Sequence, residues 1–440
     1  MLPMPRIMVV DDDKRHSAAI ADALRRVGVE CVPAHYDGEN PESLHPALRG
    51  VRILLSDLHL IPGAQTANIN QICQPIVELI EGGVTPQTPF VLVLWTAHPN
   101  ELEEVRRHLM ERLPEGHRPL AIYALDKNQH MAGANAVADA DGLLTALSQR
   151  LREMPAAAAL LEWEEMLAKS ARSAVDELHR MVLEVKGPLD YSTALATLLA
   201  RFAEHALGKT NAAERPAAGL SEVLVPIIAD ALSTNAGGAS QEIWTPTLQA
   251  ANDAAMANVS GRMNGGLHIG RTTDHGAEVS IKEPGVVIEL PTAFAENQAF
   301  TDRFGLSLAD TKKAVIRNVQ NIDELPCTRV LVRVEAPCDH AQGQKGPLLF
   351  AFGVVINASD KKAGTLPQAW WSSPSLQRAD IAALANADKL LLVNTRMLFI
   401  AVGTELNAPT ILFRLRPTLA GLLSFNFGMR TIRPGIVQFP

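Results

Sequence analysis

The chain has 440 residues, enough for roughly three domains of about 150 residues each. Apolar residues make up 47% and charged residues 20%, and no run approaches the roughly 20 apolar residues of a membrane span. The net charge of -8 argues against nucleic acid as the main partner. Four scattered cysteines do not form a disulfide framework, and the N-terminus opens on a strand pattern instead of a signal peptide. We therefore expect a reduced, cytoplasmic protein without a membrane span.

Residues 1–154 alternate short apolar runs with amphipathic stretches, which is typical of βαβ units around a parallel sheet. Each short run is apolar throughout, as expected for strands buried on both faces. We therefore expect a doubly wound, flavodoxin-like domain of five parallel strands. The predicted strands are 6–10, one near residues 31 and 32, 52–56, 90–94 and 120–125. The predicted helices are 14–27, 69–81, 100–113 and 142–152.

The second predicted segment, 155–265, is rich in Ala and Leu, a composition that favours helices. Its first helix is long, because apolar residues recur every three or four positions from Leu160 to Val185. Gly187 and the proline after it end the pattern. This apolar stripe must pack against another surface, either a second helix at 195–207 or a second copy of the protein. We expect a helical linker that can form a homodimer interface.

Residues 266–440 change to β-rich runs separated by Pro and Gly, which predicts an antiparallel domain of unknown function. Charged and apolar residues alternate in 329–335, so we expect one water-exposed face and one buried face there. A small barrel or sandwich would fit this pattern. The other predicted strands are 286–290, 348–356, 390–393, 398–402 and 411–415.

Polar side chains follow the predicted parallel strands at their carboxyl ends, where open sheets place their sites. Asp11, Asp12 and Asp13 follow the first strand, and Asp57 ends the next well-formed one. Adjacent carboxylates repel one another unless a cation shares them, and hard oxygen ligands suit Mg²⁺. A solvated acidic helix start, favoured by the helix dipole, would also explain the first three.

The last two strands end in a hydroxyl and an ammonium. Thr96 ends the fourth strand, and Lys127 follows the fifth. A doubly wound order would bring all of these strand ends to one crevice. There a cation held by carboxylates would neutralise a phosphoryl group, Asp57 would attack it, and Thr96 and Lys127 would bind its oxygens.

With this pattern, about the first 150 residues resemble the receiver domain of two-component response regulators. The four landmarks of that family are matched in order by residues 8–13, 54–57, 94–97 and 125–127. The resemblance implies a phosphoacceptor aspartate, an acid pair for Mg²⁺, a switch hydroxyl and a phosphate-binding lysine. By this resemblance Asp57 would be the phosphoacceptor, and Asp11 and Asp12 would be the acid pair that binds Mg²⁺. Thr96 would be the switch hydroxyl and Lys127 the phosphate-binding lysine. His59 would offer its backbone carbonyl to the metal.

The chain departs from the family pattern in several places. Asn128 stands where a proline usually follows the lysine, and the aromatic Tyr123 lies four residues before Lys127. The spacings around Thr96 are longer than usual. The phosphate site looks complete, whereas we expect the relay from Thr96 to the output face to be altered. A degenerate receiver that serves only for docking is the alternative.

Three weaker motifs leave alternatives open. Asp11 and Asp13 are spaced as in haloacid-dehalogenase phosphatases, but the Thr expected after them is missing. Cys338 and His340 could be a nucleophile and base or, with Cys327, metal ligands, although a simple turn is the blander interpretation. Residues 370 and 371 are both Trp, and they could be an exposed interaction feature or a buried anchor.

Taken together, the sequence predicts a signalling protein. A partner sensor histidine kinase would phosphorylate Asp57, and the C-terminal segments would relay or buffer the signal. The chain would then be a phosphoacceptor with at most slow autodephosphorylation, not a dedicated enzyme. An effector enzyme regulated by its receiver, with an active site in 266–440, is the alternative. No helix-turn-helix pattern or basic recognition helix follows residue 155, which disfavours a transcription factor. The domain order is similar to that of response regulators in Detocs-type phage-defence systems.

Overall fold

The chain folds into two compact units. One consists of residues 1–173 and 229–251, the other of residues 174–228 and 252–440. The predicted fold class, with a parallel α/β part, a helical part and an antiparallel β part, is confirmed. The predicted domain boundaries near 154 and 265 stay predictions. The computed structural model describes residues 6–61, 68–133, 136–249, 259–274, 277–294, 296–317, 325–335, 347–401, 406 and 409–431.

A five-stranded parallel sheet in the order β2-β1-β3-β4-β5 forms the core of the first unit. All five predicted strands are confirmed. Four of them begin one residue later than predicted and run on to the polar residue at their end, because the ladder of hydrogen bonds continues beyond the apolar run. The strands are β1 (Ile7–Asp11), β2 (Val32–His35), β3 (Ile53–Asp57), β4 (Val91–Thr96) and β5 (Ala121–Asp126).

Helices cover both faces of this sheet, because their apolar stripes pack onto it. The side chains of Ile20 and Leu143 are buried on one face, and those of Ile76 and Leu109 on the other. The helices of this part are α1 (Lys14–Arg26), α2 (His45–Leu48), α3 (Ile69–Gly83), α4 (Leu102–Arg112), α5 (Lys127–His130) and α6 (Ala140–Arg152).

The predicted helical segment begins with a helix of 31 residues, which confirms the long periodic pattern. Its predicted end at Gly187 is also correct within two residues. The next helix contains a non-helical residue, Gly208, whose φ of 73° lies in the left-handed region that favours glycine. The helices are α7 (Pro155–Val185), α8 (Tyr191–Glu214), α9 (Pro216–Ala236), α10 (Gln241–Gln249) and α11 (Ser260–His268).

Helix α9 bears on the expectation that the chain lacks a membrane span. Among the described helices, α9 alone has the length and apolar composition that crossing a membrane requires, although it contains Glu222 and Asp230. Helices of soluble proteins meet the same two criteria, so this finding is weak evidence for a span. The absence of a membrane span stays a prediction.

The second unit contains a seven-stranded antiparallel sheet in the order β12-β13-β11-β10-β9-β14-β6. Since β12 and β6 lie at opposite ends of this order, the described strands form an open sheet, and the expected barrel or sandwich is wrong. The strands are β6 (Ile269–Gly270), β9 (Val286–Glu289), β10 (Cys327–Arg333), β11 (Leu348–Asn357), β12 (Trp370–Ser372), β13 (Lys389–Ala401) and β14 (Ile411–Leu415). A separate two-stranded antiparallel sheet pairs β7 (Thr273–Asp274) with β8 (Ala277–Glu278).

Two predictions about individual strands of this sheet are wrong. The runs 390–393 and 398–402 belong to one strand, β13, because the polar residues Asn394 and Thr395 between them are themselves buried in the sheet. The expected water-exposed face of 329–335 does not exist, since Arg333 is only 4% exposed. Two helices, α12 (Asn297–Phe304) and α13 (Leu308–Val315), cover one face of the sheet. A loop region and the helix α14 (Pro417–Thr431) cover the other face.

The sequence motifs of this region are only partly visible in the structure. Trp370 and Trp371 are both buried, which confirms the interpretation as a buried anchor. Cys338 and His340 lie outside the described residues. The cysteines that the structure does describe, Cys31, Cys73 and Cys327, are free thiols.

The core position Leu54 offers a test of the first unit. Leu54 is fully buried in β3, so Leu54→Ala should lower the free energy of unfolding by about 2–5 kcal/mol through the cavity it leaves. Urea unfolding, followed by tryptophan fluorescence, measures this loss. Ile61, which is 44% exposed, provides the control, and Ile61→Ala should change stability by less than about 0.5 kcal/mol. Equal losses in the two variants would contradict the assignment of Leu54 to the core.

Candidate functional site

The order of the parallel sheet places two aspartates side by side. Strands β1 and β3 are neighbours, and Val10 pairs in register with Ser56. Asp11 and Asp57 are the next residues on these strands, so their side chains reach the same point at the carboxyl edge of the sheet. The carboxylate of Asp11 is completely buried, and Asp57 as a residue is 6% exposed.

Lys127 joins the two aspartates. Its Nζ lies 2.7 Å from Oδ2 of Asp57 and 3.1 Å from Oδ2 of Asp11. Lys127 is the first residue of the short helix α5, whose N-cap Asp126 accepts a hydrogen bond from the backbone N–H of Asn128 at 2.9 Å. The lysine is therefore fixed by a capped helix start, with Asn128 in the place where a proline was expected.

Burial and charge act against each other on these groups. Burial raises the pKa of Asp11 to about 6, Lys127 opposes this shift, and the neighbouring charge of Asp57 adds to it. Burial alone would lower the pKa of Lys127, but the attraction of Asp57 and Asp11 outweighs burial and raises it. Lys127 is therefore a firmly protonated ammonium between two carboxylates.

The acidic residues have separate structural roles. Oxygens of Asp11, Asp12 and Asp57 lie within 4.8 Å of one another. Asp13 instead caps α1: its carboxylate accepts from the backbone N–H of Arg15 at 2.8 Å, and hydrogen bonds from Arg15 lower the pKa of Asp13. The helix-start interpretation thus fits Asp13, whereas Asp11 is completely buried at the end of β1.

This donor set fits a hard divalent cation. Three carboxylates face one ammonium, so the cluster carries excess negative charge whenever all of them are ionised. Carboxylate oxygens are the ligands that Mg²⁺ prefers. Asp11, Asp12 and Asp57 are the side chains that would hold the ion, and a contribution from the carbonyl of His59 stays a prediction.

Thr96 and His59 lie at the same edge of the sheet. Asp57 pairs in register with Trp95, so Thr96 is the next residue on the neighbouring strand. The Thr96 hydroxyl is buried and accepts a hydrogen bond from the backbone N–H of His98 at 3.0 Å. The backbone N–H of His59 lies 3.3 Å from Oδ1 of Asp57. The structure thus brings Asp11, Asp57 and Lys127 into contact and places Thr96 at the same edge of the sheet.

Two histidines at this edge, His16 and His98, were not singled out from the sequence, whereas His59 was expected there for its backbone carbonyl alone. Nδ1 of His16 lies 3.5 Å from the carboxylate of Asp11. The ring centroids of His59 and His98 are 5.4 Å apart, edge to face. Each of these histidines follows a strand-end residue within a few positions, and that spacing is the signal that could have identified them.

The opposite edge of the sheet is clamped to α7. Nε and Nη2 of Arg52, just before β3, donate to the two carboxylate oxygens of Glu164 at 2.8 and 3.0 Å. Arg6, just before β1, donates to Glu164 at 3.2 Å and to Glu165 at 2.8 Å. Although burial alone would raise the pKa of Glu164, the hydrogen bonds from Arg52 and the charges of both arginines lower it. Such bidentate pairs fix orientation as well as distance.

Comparisons with protein-family models, with curated proteins and with solved structures give no match for this chain. The five-stranded parallel sheet with its buried acidic group is compatible with a receiver-like fold. The function of the site therefore has to be inferred from its own residues.

The raised pKa of Asp11 predicts a pH-dependent effect of its replacement. A carboxyl group with a raised pKa in the folded protein stabilises the fold at low pH, and this stabilisation is lost as the pH rises through about 6. With a chelator present, Asp11→Asn should therefore increase the free energy of unfolding near neutral and alkaline pH by up to about 3 kcal/mol. Below pH 3.8, the ordinary value for this group, the gain should be small.

Urea titrations at about pH 4 and about pH 8 measure this difference. Asp22→Asn serves as the control, because the side chain of Asp22 is 66% exposed and pairs only with the exposed Arg25 among the described residues. Its effect should stay within about 0.5 kcal/mol at both pH values. A gain for Asp11→Asn that is the same at both pH values would contradict the raised pKa.

Proposed function

We propose that the first unit is a receiver-type phosphoacceptor, in which Asp57 takes a phosphoryl group from a partner sensor histidine kinase. The observation that carries the proposal is the Asp57 carboxylate itself. It is nearly buried, lies 2.7 Å from the Lys127 ammonium, and shares one edge of the sheet with Asp11 and Asp12. A nucleophile, a cation and a set of hard metal ligands therefore meet at one point.

The chemistry follows from these groups. A carboxylate oxygen of Asp57 attacks phosphorus, the bond from phosphorus to the nitrogen of the donor histidine breaks, and an acyl phosphate remains on Asp57. Lys127, already 2.7 Å from that carboxylate, is positioned to pair with the phosphoryl oxygens. Mg²⁺ bound by the three aspartates would supply positive charge that neutralises the transferred group.

Thr96 would sense the modification. In the proposal its hydroxyl gives up its hydrogen bond with the His98 N–H and turns to the phosphoryl group. The added charge would favour a second arrangement of this edge of the sheet. The helical and β-rich segments would then relay or buffer the signal. The most specific part of the proposal is a role in phage defence, which is supported by domain order alone. An effector active site in 266–440 stays an alternative prediction.

The cytoplasm and a homodimer complete the proposal. The described cysteines are all free thiols, as is usual for proteins of a reducing compartment. Helix α7 exposes Leu160 and Trp163, each 42% accessible, at a helical spacing of three. A second copy of the chain would cover these side chains.

Phosphorylation of Asp57 can be tested with acetyl phosphate as donor. The intact mass of the wild type should rise by one phosphoryl group when Mg²⁺ is present, and Asp57→Asn should show no increase, because the nucleophile is lost. Asp22→Asn, which changes an exposed carboxylate in the same unit, should behave as the wild type.

Inorganic phosphate is measured in the same reactions. An adduct of equal size on Asp57→Asn would contradict the assignment of the acceptor. Absence of an adduct together with release of phosphate would indicate a fast phosphohydrolase. Absence of both would leave the degenerate docking domain and overturn the proposal.

The homodimer can be tested by light scattering during size-exclusion chromatography. Trp163→Lys should weaken dimerisation by about thirtyfold, the effect of removing an aromatic anchor from an interface. Ile61→Lys, at a position 44% exposed outside the helical segment, is the control and should leave the mass unchanged. A wild type that stays monomeric at every concentration would contradict the proposed interface.

A further inference from the structure

A row of side chains crosses the sheet of the second unit and contains two arginines. Val332 pairs with Val287, which places Arg333 opposite Val286. Arg414 pairs with Val286 from the other side. Residues directly opposite each other share a face of the sheet. Arg333 and Arg414 therefore lie on one face, two strand spacings apart, with only Val286 between them.

Arg333 is buried and only partly satisfied. Its side chain is 4% exposed, and its guanidinium lies 5.7 Å from the ring centroid of Phe350. Nη2 donates to the carboxylate of Glu335. Nε and Nη1 are buried as well, and neither has a hydrogen-bond partner among the described residues. Two unpaired donors on a buried cation are costly, so a group that fills their place would be stabilising.

Arg414 shows the same pattern in weaker form. Its Nη1 donates to Oε2 of Glu283 at 2.6 Å, whereas its buried Nε has no partner in the part of the chain that the structure describes. Its guanidinium packs over Gly270, where a Cβ would lie only 3.3 Å from Nε, so a larger residue at this position would crowd the group.

The unsatisfied side-chain atoms of this row are all donors. Each carboxylate already accepts a hydrogen bond on both of its oxygens, since Glu335 also accepts from the backbone N–H of Leu349 at 2.8 Å and Glu283 from that of Ser280 at 3.1 Å. An oxyanion brings acceptors only and a negative charge, so it can pair both with these donors and with the positive charge of the guanidinium groups. The planar guanidinium group also matches phosphate and carboxylate geometry.

We propose that Arg333, assisted by Arg414, forms a binding site for the oxyanion group of a small molecule, a phosphate or a carboxylate. This site is separate from the phosphoacceptor site and would give the β-rich unit a ligand of its own. It binds the ligand through charge-assisted hydrogen bonds from Nε and Nη1 of Arg333 and Nε of Arg414. No covalent step is involved.

Isothermal titration calorimetry on the full chain tests this inference, with inorganic phosphate and acetate as separate probes. A chelator and constant ionic strength remove metal binding and general salt effects. The variant for the site is Arg333→Met combined with Glu335→Gln, because the pair of changes leaves no unpaired charge buried. We expect saturable binding of one probe to the wild type, and binding about tenfold weaker in the double variant. The preferred probe identifies the ligand as a phosphate or a carboxylate.

Two further variants keep the result interpretable if the double variant does not fold. Arg414→Gln changes a side chain that is 29% exposed and should also weaken binding. Arg303→Met is the matched control, since Arg303 also lies over a phenylalanine, 4.5 Å from the ring centroid of Phe399, but donates to the carbonyl of Ile400. It should bind as the wild type.

Failure here and failure of the phosphoacceptor proposal are distinguishable. Binding that survives in Asp57→Asn and is lost with Arg333 or Arg414 supports the second site. Binding that is lost in Asp57→Asn belongs to the first unit and overturns this inference alone. Absence of saturable binding by both probes, or unchanged affinity in the Arg414 variant and in a folded double variant, overturns it as well.

Discussion

The ammonium group of Lys127 allows two buried carboxylates to lie side by side at the carboxyl edge of the parallel sheet. Asp11 and Asp57 come from neighbouring strands, and their carboxylates would repel each other in a buried place. Lys127 follows β5, which lies two strands from β3, or roughly 10 Å at the usual strand spacing. A long side chain is needed to span that distance. The helix cap at Asp126 starts the turn that places the lysine side chain over the sheet edge, so a local backbone feature supports a charge balance that spans four strands, from β1 to β5.

The two units treat buried charge in different ways. At the edge of the parallel sheet, carboxylates outnumber the available cation, which leaves room for a metal ion or a phosphoryl group to change the balance. Across the antiparallel sheet, Arg333 and Arg414 each have a carboxylate partner, and what remains unsatisfied is their hydrogen-bonding capacity. The first arrangement is the one proposed to bind a metal ion and accept a phosphoryl group, and the second is the one proposed to bind an oxyanion.

The acidic edge was predictable from the sequence because its signals are local. An uninterrupted apolar run marks a parallel strand, and the polar residue that ends it marks the carboxyl edge, which is how Asp57 and Lys127 were found. Their roles in phosphoryl transfer stay predictions. The contact of Glu164 with Arg52 joins residues 112 positions apart, and no local pattern announces it.

The errors in the β-rich half have an equally physical cause. Alternation within one strand shows that its two faces differ, but it cannot show that helices cover the polar face too, so Arg333 was assigned to water. The polar pair Asn394 and Thr395 interrupted an apolar run and split β13 in two, although the backbone pairs with β11 on both sides of them. Arg333, Asn394 and Thr395 are buried by residues that are distant from them in the sequence, so no local pattern indicates their burial.

Strand β3 is held by side-chain contacts at both of its ends, because the salt bridge between Arg52 and Glu164 ties its start to α7. Asp57 terminates the strand at one end, and Arg52, directly before the strand, grips α7 at the other. From Glu164 the helix continues for nine residues to Ser173, the last residue of this stretch of the first unit, about 14 Å at the rise of an α-helix. Because the salt bridge between Arg52 and Glu164 is bidentate, it fixes the orientation of α7 relative to β3 as well as the distance between them. The strand that ends in Asp57 and this part of α7 therefore cannot shift independently while the salt bridge persists.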